Sequence, residues 1–418
     1  MPLKAEENEL LTRTGPGTPM GTLLRQYWIP AIRSGALERD GAPVRVRLFN
    51  EDFVAFRGTD GRVGLLDEAC PHRGVSMALA RNEENGLRCI FHGWKFDTAG
   101  RLVDAPCEPE ARRERFCASV RVSQYAVREA GSVVWVYLGQ GDAPSFPDFL
   151  FNTLPAEQVC IRRGVVPYNW MQGVEAHIDS SHVAFLHRGF LGEEGPIETS
   201  TRDNLAMMMQ DTTPKFEMND TPYGLQEAAL RGLDDGSVYA RIREIVMPFY
   251  TFIPGPEEGP FSARISVPID DETSAEWYIL YHPTRPLSEE AITTLFHGTA
   301  DDPDNFAANL GQPEHLWGQD RAAMKNGHFS GLTTNLSFED FVVQSSMGKR
   351  VDRTKEQLGS ADIIIVKVRR LFLEALKRLG ASEAPWRTGF DYASIHARSV
   401  SFDESEVDWR AFTMKETV

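Results

Sequence analysis

Two short stretches, Cys70-Pro71-His72-Arg73-Gly74 and Cys89-Ile90-Phe91-His92-Gly93-Trp94, decide the fold and the chemistry of this chain. Each stretch offers one thiol and one imidazole, in the pattern C-x-H, then sixteen residues, then C-x-x-H. Cys and His are ligands of zinc ions and of iron–sulfur clusters. Four such residues within 23 positions, with Gly at both turns, favour a metal site over two unrelated core cysteines and two surface histidines.

The distribution of Cys and His between the stretches discriminates between the two kinds of site. Zinc fingers usually pair Cys with Cys and His with His, whereas each stretch here is mixed. A mixed pair suits a Rieske [2Fe–2S] cluster, in which two Cys hold one iron and two His hold the other. We therefore predict that Cys70, His72, Cys89 and His92 bind a [2Fe–2S] cluster, with zinc as the competing interpretation.

The motifs C-P-H-R-G and C-x-x-H-G-W-K-F-D resemble those of the Rieske non-haem iron oxygenases. The similarity covers nearly the whole chain, and residues 6–21 and 347–354 resemble the phthalate-dioxygenase-like branch specifically. This resemblance implies an α subunit that activates O₂ at a second, mononuclear Fe(II) and acts on an aromatic carboxylate or a related aryl ether. It also implies a separate NAD(P)H-dependent flavin/iron–sulfur reductase, and no G-x-G-x-x-G follows a strand in this chain to replace one.

The second metal is expected to involve His182 and His187, which are five residues apart. In a regular helix they would point ~140° apart, since each residue turns ~100°. A common metal therefore requires a distortion, and we predict a widened turn such as a π-bulge between them. The resemblance implies that both bind iron with Asp340, completing a 2-His-1-carboxylate triad with open positions for O₂. Glu339 is the second candidate carboxylate, and Ser337-x-x-Asp340 also resembles a helix capping box.

Asp179 precedes His182 by three residues and can share its helix face. A carboxylate beside a ligating His commonly accepts its free N–H and fixes its tautomer. The resemblance implies a larger role, in which Asp179 bridges His182 to His72 or His92 of a neighbouring subunit, because the two metals of one chain lie far apart. The implied assembly is a head-to-tail ring, a homotrimer or a dimer of trimers. His177 is expected to be a pocket or surface residue rather than a ligand.

Recognition of an aromatic acid requires a cation in an apolar pocket. Lys215, Arg241 and Arg243 lie in segments expected to line it. Two reactions remain open, namely ring hydroxylation with one or two oxygen atoms and oxidative O-demethylation of a methoxylated aromatic acid. The alternative from another class is a Rieske-type electron carrier without oxygenase activity, against which the intact candidate iron ligands argue.

Composition narrows the class of protein further. The 418 residues are 42% apolar and 25% charged, as in globular proteins. The net charge of −16 argues against nucleic acid as a partner. No apolar run reaches the ~18 residues of a membrane span, and the start lacks the apolar core of a signal peptide. Five Cys, two of them assigned to the cluster, do not indicate a disulfide framework, which fits a reducing cytoplasm.

The pattern of apolar residues predicts an α+β protein. Period-two alternation from Val44, with a turn at Asp60-Gly61, indicates antiparallel strands around both Cys-His stretches. We predict an N-terminal lead-in over residues 1–40, an all-β Rieske [2Fe–2S] domain over 41–145 and a catalytic mononuclear non-haem iron domain over 146–418. The catalytic domain should contain an antiparallel sheet flanked by helices, in a helix-grip-like arrangement.

Overall fold

The computed structural model describes residues 2–120, 123–191, 199–256, 259–379, 385–403, 405 and 407–413. The chain divides into two units, a small unit of Thr14–Phe146 and a large unit of Met1–Arg13 together with Pro147–Val418. Of the predicted lead-in of residues 1–40, residues up to Arg13 belong to the large unit and residues from Thr14 onward belong to the small unit. No described helix is long and apolar enough to cross a lipid bilayer.

The helices of the described residues follow one another along both units. In chain order they are α1 Ala5–Thr12, α2 Pro19–Leu24, α3 Glu110–Ser119, α4 Trp170–Ile178, α5 Val183–Leu186, α6 Thr199–Gln210, α7 Glu289–Phe296, α8 Arg321–Lys325, α9 Leu336–Ser346 and α10 Ile363–Lys377. The strands are β1 Ile29–Arg33, β2 Val44–Leu48, β3 Glu51–Arg57, β4 Val63–Asp67, β5 Arg81–Glu83, β6 Gly86–Arg88, β7 Lys95–Asp97, β8 Leu102–Asp104, β9 Ala126–Ala130, β10 Val133–Tyr137, β11 Val159–Val166, β12 Lys215–Thr221, β13 Gly224–Gly232, β14 Val238–Val246, β15 Tyr250–Ile253, β16 Phe261–Pro268, β17 Ser274–Tyr281 and β18 Arg398–Phe402.

The described residues of the small unit form three antiparallel sheets, with strand orders β1-β10-β9, β2-β3-β4 and β5-β6-β7-β8. Strand β10 is apolar throughout and buried throughout, which explains its lack of alternation. The predicted turn at Asp60-Gly61 joins β3 to β4, and Gly61 adopts a φ of 85° that a side chain would disfavour. The first Cys-His stretch lies in the connection from β4 to β5, where an antiparallel bridge pairs Ala69 with Ser76, and the second joins the paired strands β6 and β7.

The large unit is built on one antiparallel sheet with strand order β11-β17-β16-β15-β14-β13-β12, and β18 pairs with β14 beside β15. Strands β13, β14, β16 and β17 are buried along almost their whole length. Helix α4 packs on β15, β16 and β17, and α9 packs on α4. The predicted fold class is thus confirmed, with an all-β unit and a helix-covered antiparallel sheet.

A buried network of charges fixes α4 within the large unit. The Glu175 carboxylate accepts hydrogen bonds from Arg353 at 2.8 Å and from Arg369 at 2.6 Å. Arg353 also donates to Asn8 Oδ1 of α1 at 3.1 Å, and Arg369 pairs with Glu356. Burial favours the neutral carboxyl, yet the two guanidinium groups lower the pKa of Glu175. The ion pairs therefore outweigh desolvation and join α1, α4 and α10.

Replacing Arg353 by Met should lower the free energy of unfolding by about 3–5 kcal/mol, since it leaves Glu175 buried with one partner fewer. The matched control is Lys349→Met, whose ion pair with Glu272 is exposed on both sides and should contribute less than about 1 kcal/mol. Urea denaturation followed by tryptophan fluorescence measures both. Because the pKa of Glu175 is lowered, this stabilisation is present at neutral pH and is lost as the pH falls through that pKa. Equal losses in the two variants would contradict the assignment.

Candidate metal centres and the adjoining pocket

The two Cys-His stretches fold into turns with the same backbone hydrogen bonds. Gly74 N–H donates to the Cys70 carbonyl at 2.8 Å, and Gly93 N–H donates to the Cys89 carbonyl at 3.0 Å. Both glycines adopt positive φ values, 77° and 75°, where a β-carbon is disfavoured. In addition, each Cys N–H donates to the carbonyl of the fifth residue after it, at 2.8 Å in both stretches. The turns thus present Cys70 and Cys89 equivalently although the His follows at different spacings.

Two thiols and two imidazoles lie close together at these turns. Cys70 and Cys89 are buried, whereas the rings of His72 and His92 have centroids 4.5 Å apart nearer the surface. Nδ1 of His92 is buried and has no hydrogen-bond partner, as expected of a nitrogen reserved for a metal. Burial raises the pKa of the Cys70 thiol to about 11, and the nearby Cys89 adds to this effect. Two buried thiols and two adjacent imidazoles on these paired turns fit a mixed-ligand [2Fe–2S] cluster.

His182, His187 and Asp340 form a second group in the large unit. One potential ligand atom from each lies within 4.8 Å of the others. His182 and His187 flank the single turn of α5, and Asp340 lies in the second turn of α9. Nε2 of His182 is 3.5 Å from Asp340 Oδ1, and Nε2 of His187 is 3.3 Å from it. Two imidazoles and one carboxylate fit a facial metal site with open positions.

The predicted widened turn between the two histidines is wrong. The backbone forms a one-turn α-helix over Val183–Leu186 and passes into a tighter 3₁₀ turn at His187. The side chains converge instead because the residues stand at the two ends of this turn and their rings reach toward α9. The ring centroids are 5.4 Å apart and the planes are inclined by 78°.

The other nitrogen of each histidine contacts a carboxylate. Nδ1 of His187 lies 2.7 Å from Glu339 Oε2, and Nδ1 of His182 lies 3.3 Å from Asp179 Oδ2. The alternative carboxylate, Glu339, therefore contacts the far side of a ring rather than joining the three-residue group. Asp179 is held in turn by the Ser181 N–H, which donates to its Oδ1 at 2.7 Å. Carboxylates in these positions fix the tautomer and orientation of the ring, so that both Nε2 atoms face Asp340.

The remaining sequence alternatives are also resolved by the local structure. The N-cap of α9 is Asn335, whose side chain accepts from Phe338 N–H, so Ser337 does not form a capping box with Asp340. His177 is buried and its Nε2 lies 3.2 Å from Glu276 Oε2, away from the three-residue group. It lines the pocket, in agreement with its predicted place outside the ligand set.

The protonation of the group follows from its ion pairs. Burial lowers the pKa of His182, but the hydrogen bonds to Asp179 and Asp340 raise it to about 10. Burial likewise lowers the pKa of His187, and Asp340 and Glu339 raise it to about 9. Burial favours protonation of Asp340, but the two histidines hold its pKa well below the usual range. A divalent cation would replace protons on both imidazoles and meet a carboxylate that is already charged.

His182, His187 and Asp340 line a pocket of the large unit. Arg241 and Arg243 line it, and Arg241 donates to Asn204 Oδ1 at 2.5 Å. Arg243 is already engaged, because it pairs with Glu227 at 3.0 Å and donates to the Asp179 carbonyl at 3.1 Å. Lys215, which was also expected to line the pocket, is not among its lining residues. Its side chain is exposed on β12 and pairs with Glu217, since β12 is the far edge strand of the sheet.

One residue of the site, Arg264, and one contact, that of Glu339 with His187, were not predicted from the sequence. Arg264 of β16 is buried and lines the pocket, although nothing in its local sequence marks it as different from other strand residues. The contact of Glu339 with His187 depends on how α9 packs against α5. The sequence did carry one indication of this contact, because Glu339 directly precedes Asp340. Two consecutive helix residues can contact one imidazole ring from two sides.

Replacing Glu339 by Ala should weaken Fe(II) binding about 10- to 100-fold, since His187 loses the acceptor that orients its ring. Competition with a coloured Fe(II) chelator measures the affinity, with the [2Fe–2S] absorbance confirming that the other centre is intact. The matched control is Glu244→Gln. Glu244 is an equally buried Glu bonded to Tyr223 and Gln226, outside the residues found to line the pocket. An unchanged Fe(II) affinity in Glu339→Ala would refute the positioning role.

Family models match both parts of the chain. The model described as Rieske [2Fe-2S] domain matches residues 27–126, and the model described as LigXa C-terminal domain like matches residues 136–418. The oxygenase subunit of phthalate 4,5-dioxygenase from Pseudomonas putida is 37% identical, covering 98% of this chain and 94% of that protein. The oxygenase subunit of 5,5'-dehydrodivanillate O-demethylase from Sphingobium sp. is 32% identical, covering 92% of this chain and 82% of that protein.

Solved structures support the fold independently. Dicamba monooxygenase bound to 3,6-dichlorosalicylic acid superimposes with a TM-score of 0.58 at 19% identity, covering 87% of this chain and 100% of that chain. The terminal oxygenase of carbazole 1,9a-dioxygenase from Novosphingobium sp. KA1 has a TM-score of 0.56 at 19% identity, covering 92% of this chain and 100% of that chain. Identities this low speak for the shared fold alone.

Proposed function

This chain belongs to the Rieske non-haem iron oxygenases, as an oxygenase subunit with a [2Fe–2S] cluster and a mononuclear iron. We propose which of its residues bind these two metal centres. His182, His187 and Asp340 bind the mononuclear iron. Cys70, His72, Cys89 and His92 bind the cluster. The observation that carries the first assignment is that both Nε2 atoms lie within 3.5 Å of one Asp340 oxygen in the lining of the pocket.

The bound metals would supply chemistry that side chains cannot, namely one-electron transfer at the cluster and O₂ activation at an Fe(II) with open positions. The surrounding residues determine where that chemistry is directed. Glu339 and Asp179 contact the Nδ1 atoms of the two imidazoles and so direct both Nε2 atoms toward Asp340. The pocket wall near the site is largely apolar, including Val183, Leu205 and Met208, so it accommodates a ring and limits water.

The substrate we propose is an aromatic carboxylate, which is hydroxylated with one or two atoms from O₂. Support comes from Arg241, a buried cation in the pocket that donates a hydrogen bond to the Asn204 amide oxygen. The relative named for its action on phthalate agrees with this class. Oxidative O-demethylation of a methoxylated aromatic acid is the second candidate, because the 5,5'-dehydrodivanillate relative is an O-demethylase.

We place the enzyme in the catabolism of aromatic compounds in the cytoplasm, where a separate reductase or ferredoxin supplies electrons. Asp179 would link His182 of one copy to His72 or His92 of the next, in a homotrimer or a dimer of trimers. Its carboxylate already contacts Nδ1 of His182 and its pKa is lowered to about 2, since hydrogen bonds from His182 and Ser181 outweigh the effect of burial. It therefore remains a charged hydrogen-bond acceptor across the physiological pH range.

The reaction type is tested with ¹⁸O₂ and a panel of aromatic acids and methoxyaromatic acids. The loaded protein should contain about three irons per chain with two acid-labile sulfides, two irons in the cluster and one mononuclear. Label in a new ring hydroxyl group indicates ring hydroxylation, whereas release of formaldehyde with retention of the ring pattern indicates O-demethylation. A protein with only about two irons per chain that oxidises no member of the panel would be an electron carrier, and the proposed function would be wrong.

Replacing Asp179 by Ala should leave both metal centres bound and reduce coupled turnover by several orders of magnitude, because the link between copies is removed. Iron analysis and the EPR spectrum of the reduced cluster monitor the centres, and single-turnover oxidation of that cluster by O₂ with bound substrate measures the electron transfer. Full activity in Asp179→Ala would exclude the bridge.

A mixing experiment tests the path between copies without touching Asp179. Chains that lack the iron site, as in His187→Ala, are co-assembled with chains that lack the cluster, as in His92→Ala. Each variant alone should be inactive, and mixed assemblies should regain activity if electrons pass between chains. Mixed assemblies that stay inactive, or an active monomer, would contradict the inter-subunit arrangement.

A further inference from the structure

Three consecutive methionines, Met207, Met208 and Met209, lie near the end of α6. Consecutive residues of a helix point ~100° apart, so the three side chains have different surroundings. Met208 is buried and lines the pocket together with His182 and His187. Met207 and Met209 are partly buried and are not among the lining residues. Of these three thioethers, that of Met208 therefore adjoins the pocket of the proposed iron site.

The Met208 side chain also belongs to the packing around the turn that carries the two histidines. It lies in one buried apolar cluster with Ala184 and Leu205. Ala184 is part of α5, the single helical turn between the histidines, and α5 contacts α6. Val183, directly after His182, packs against the same cluster. A change in the chemistry of Met208 would therefore act both on the pocket wall and on the support of the ligand turn.

A thioether in this place is open to one particular reaction. Its sulfur takes up one oxygen atom from hydrogen peroxide, so that the O–O bond breaks, an S–O bond forms and water is released. The sulfur is oxidised by two electrons and the peroxide is reduced by two. The lining tyrosines Tyr168 and Tyr278 react by loss of single electrons and need a stronger oxidant. Among the methionines that the structure describes, Met208 is the one found in the pocket lining.

The proposed function supplies the oxidant within the same pocket. When two electrons from the reduced metal centres and two protons reduce O₂ and no substrate is hydroxylated, the product is hydrogen peroxide. This peroxide is released between the pocket walls, next to the Met208 side chain. Peroxide in the surrounding solution reaches the same side chain poorly, because Met208 is only 1% exposed. Oxidation of Met208 would therefore report reduction of O₂ in the pocket rather than oxidants in the solution.

We propose that Met208 is an oxidation site of this enzyme, at which peroxide formed without hydroxylation of a substrate converts the thioether into a sulfoxide. This inference rests on the proposed oxygenase function and adds a limit on the unproductive reduction of O₂. The sulfoxide is polar, whereas its neighbours Ala184 and Leu205 are apolar and buried. A polar group without a partner disfavours this packing, so activity is lost as the sulfoxide accumulates. Methionine sulfoxide reductases would reverse the change.

The test takes the metal-loaded protein through repeated cycles of anaerobic reduction by dithionite and exposure to O₂. The cycles are run with benzoate and with pentafluorobenzoate, which offers no C–H bond for hydroxylation, and catalase removes peroxide from the solution. Trypsin then releases residues 203–215 as one peptide that contains all three methionines. Fragment ions show which of them has gained an oxygen atom. Met208 should carry several-fold more sulfoxide than Met207 or Met209.

Met347 serves as the internal control for peroxide in the solution, because it follows α9 and is 51% exposed. In protein depleted of the mononuclear iron and treated with added hydrogen peroxide, Met347 should be oxidised before Met208. In the metal-loaded protein with catalase, the order should be reversed. O₂ consumption without this preference for Met208 refutes the inference and leaves the proposed function intact. If neither acid supports O₂ consumption, the proposed oxygenase function itself fails.

A pair of variants tests the effect of the oxidation on activity. Met208→Leu retains an apolar side chain of similar volume that cannot form a sulfoxide. Met209→Leu is the matched control, one residue further along α6 and outside the pocket lining. Relative to its own initial rate, Met208→Leu should lose activity several-fold more slowly over the cycles, whereas Met209→Leu should follow the wild type. Equal losses in all three proteins would show that oxidation of Met208 does not limit activity.

Discussion

Four contacts between imidazole nitrogens and carboxylate oxygens hold the centre of the large unit together. His187 lies between Glu339 and Asp340, two consecutive residues of α9, and His182 lies between Asp179 and Asp340. Each ring is therefore fixed at both nitrogens, and neither can rotate without losing a buried partner. Because an unpaired buried polar group is costly, the arrangement is specified by the fold before any ion binds.

The same constraint explains why the helices around the site are short and interrupted. Helix α4 ends at Ile178, Asp179 is its C-cap, and a single turn of helix then separates the two histidines. A continuous helix would have pointed the rings ~140° apart. Ending α4 at Asp179 lets its carboxylate turn toward His182, while the Arg243–Glu227 pair on the sheet fixes the Asp179 carbonyl. Asp179 thus connects Arg243 of the sheet, the end of α4 and His182.

Much of this could be predicted from the sequence because its motifs are local. The positions of Cys70, His72, Cys89 and His92 are set by turns of five or six residues that need Gly74 and Gly93, and alternation revealed the strands around them. What could not be predicted depends on contacts between distant segments. The π-bulge was inferred from helix geometry alone, without knowing that α9 approaches α5. Lys215 and Arg264 are both cations on strands, and only the strand order places one at the sheet edge and the other in the pocket.

The position of α1 has a consequence for how the chain is made. This helix belongs to the large unit, although the next 133 residues of the chain, Thr14–Phe146, form the small unit. Its Asn8 bonds to the Val351 carbonyl and to Arg353, more than 340 residues later. On the ribosome, the small unit can therefore fold before the large unit. Helix α1 can pack only after its partners Val351 and Arg353 have been synthesised. During synthesis the residues of the cluster turns emerge long before those of the iron site. A tag or truncation at the N-terminus would disturb the packing of α1 in the large unit.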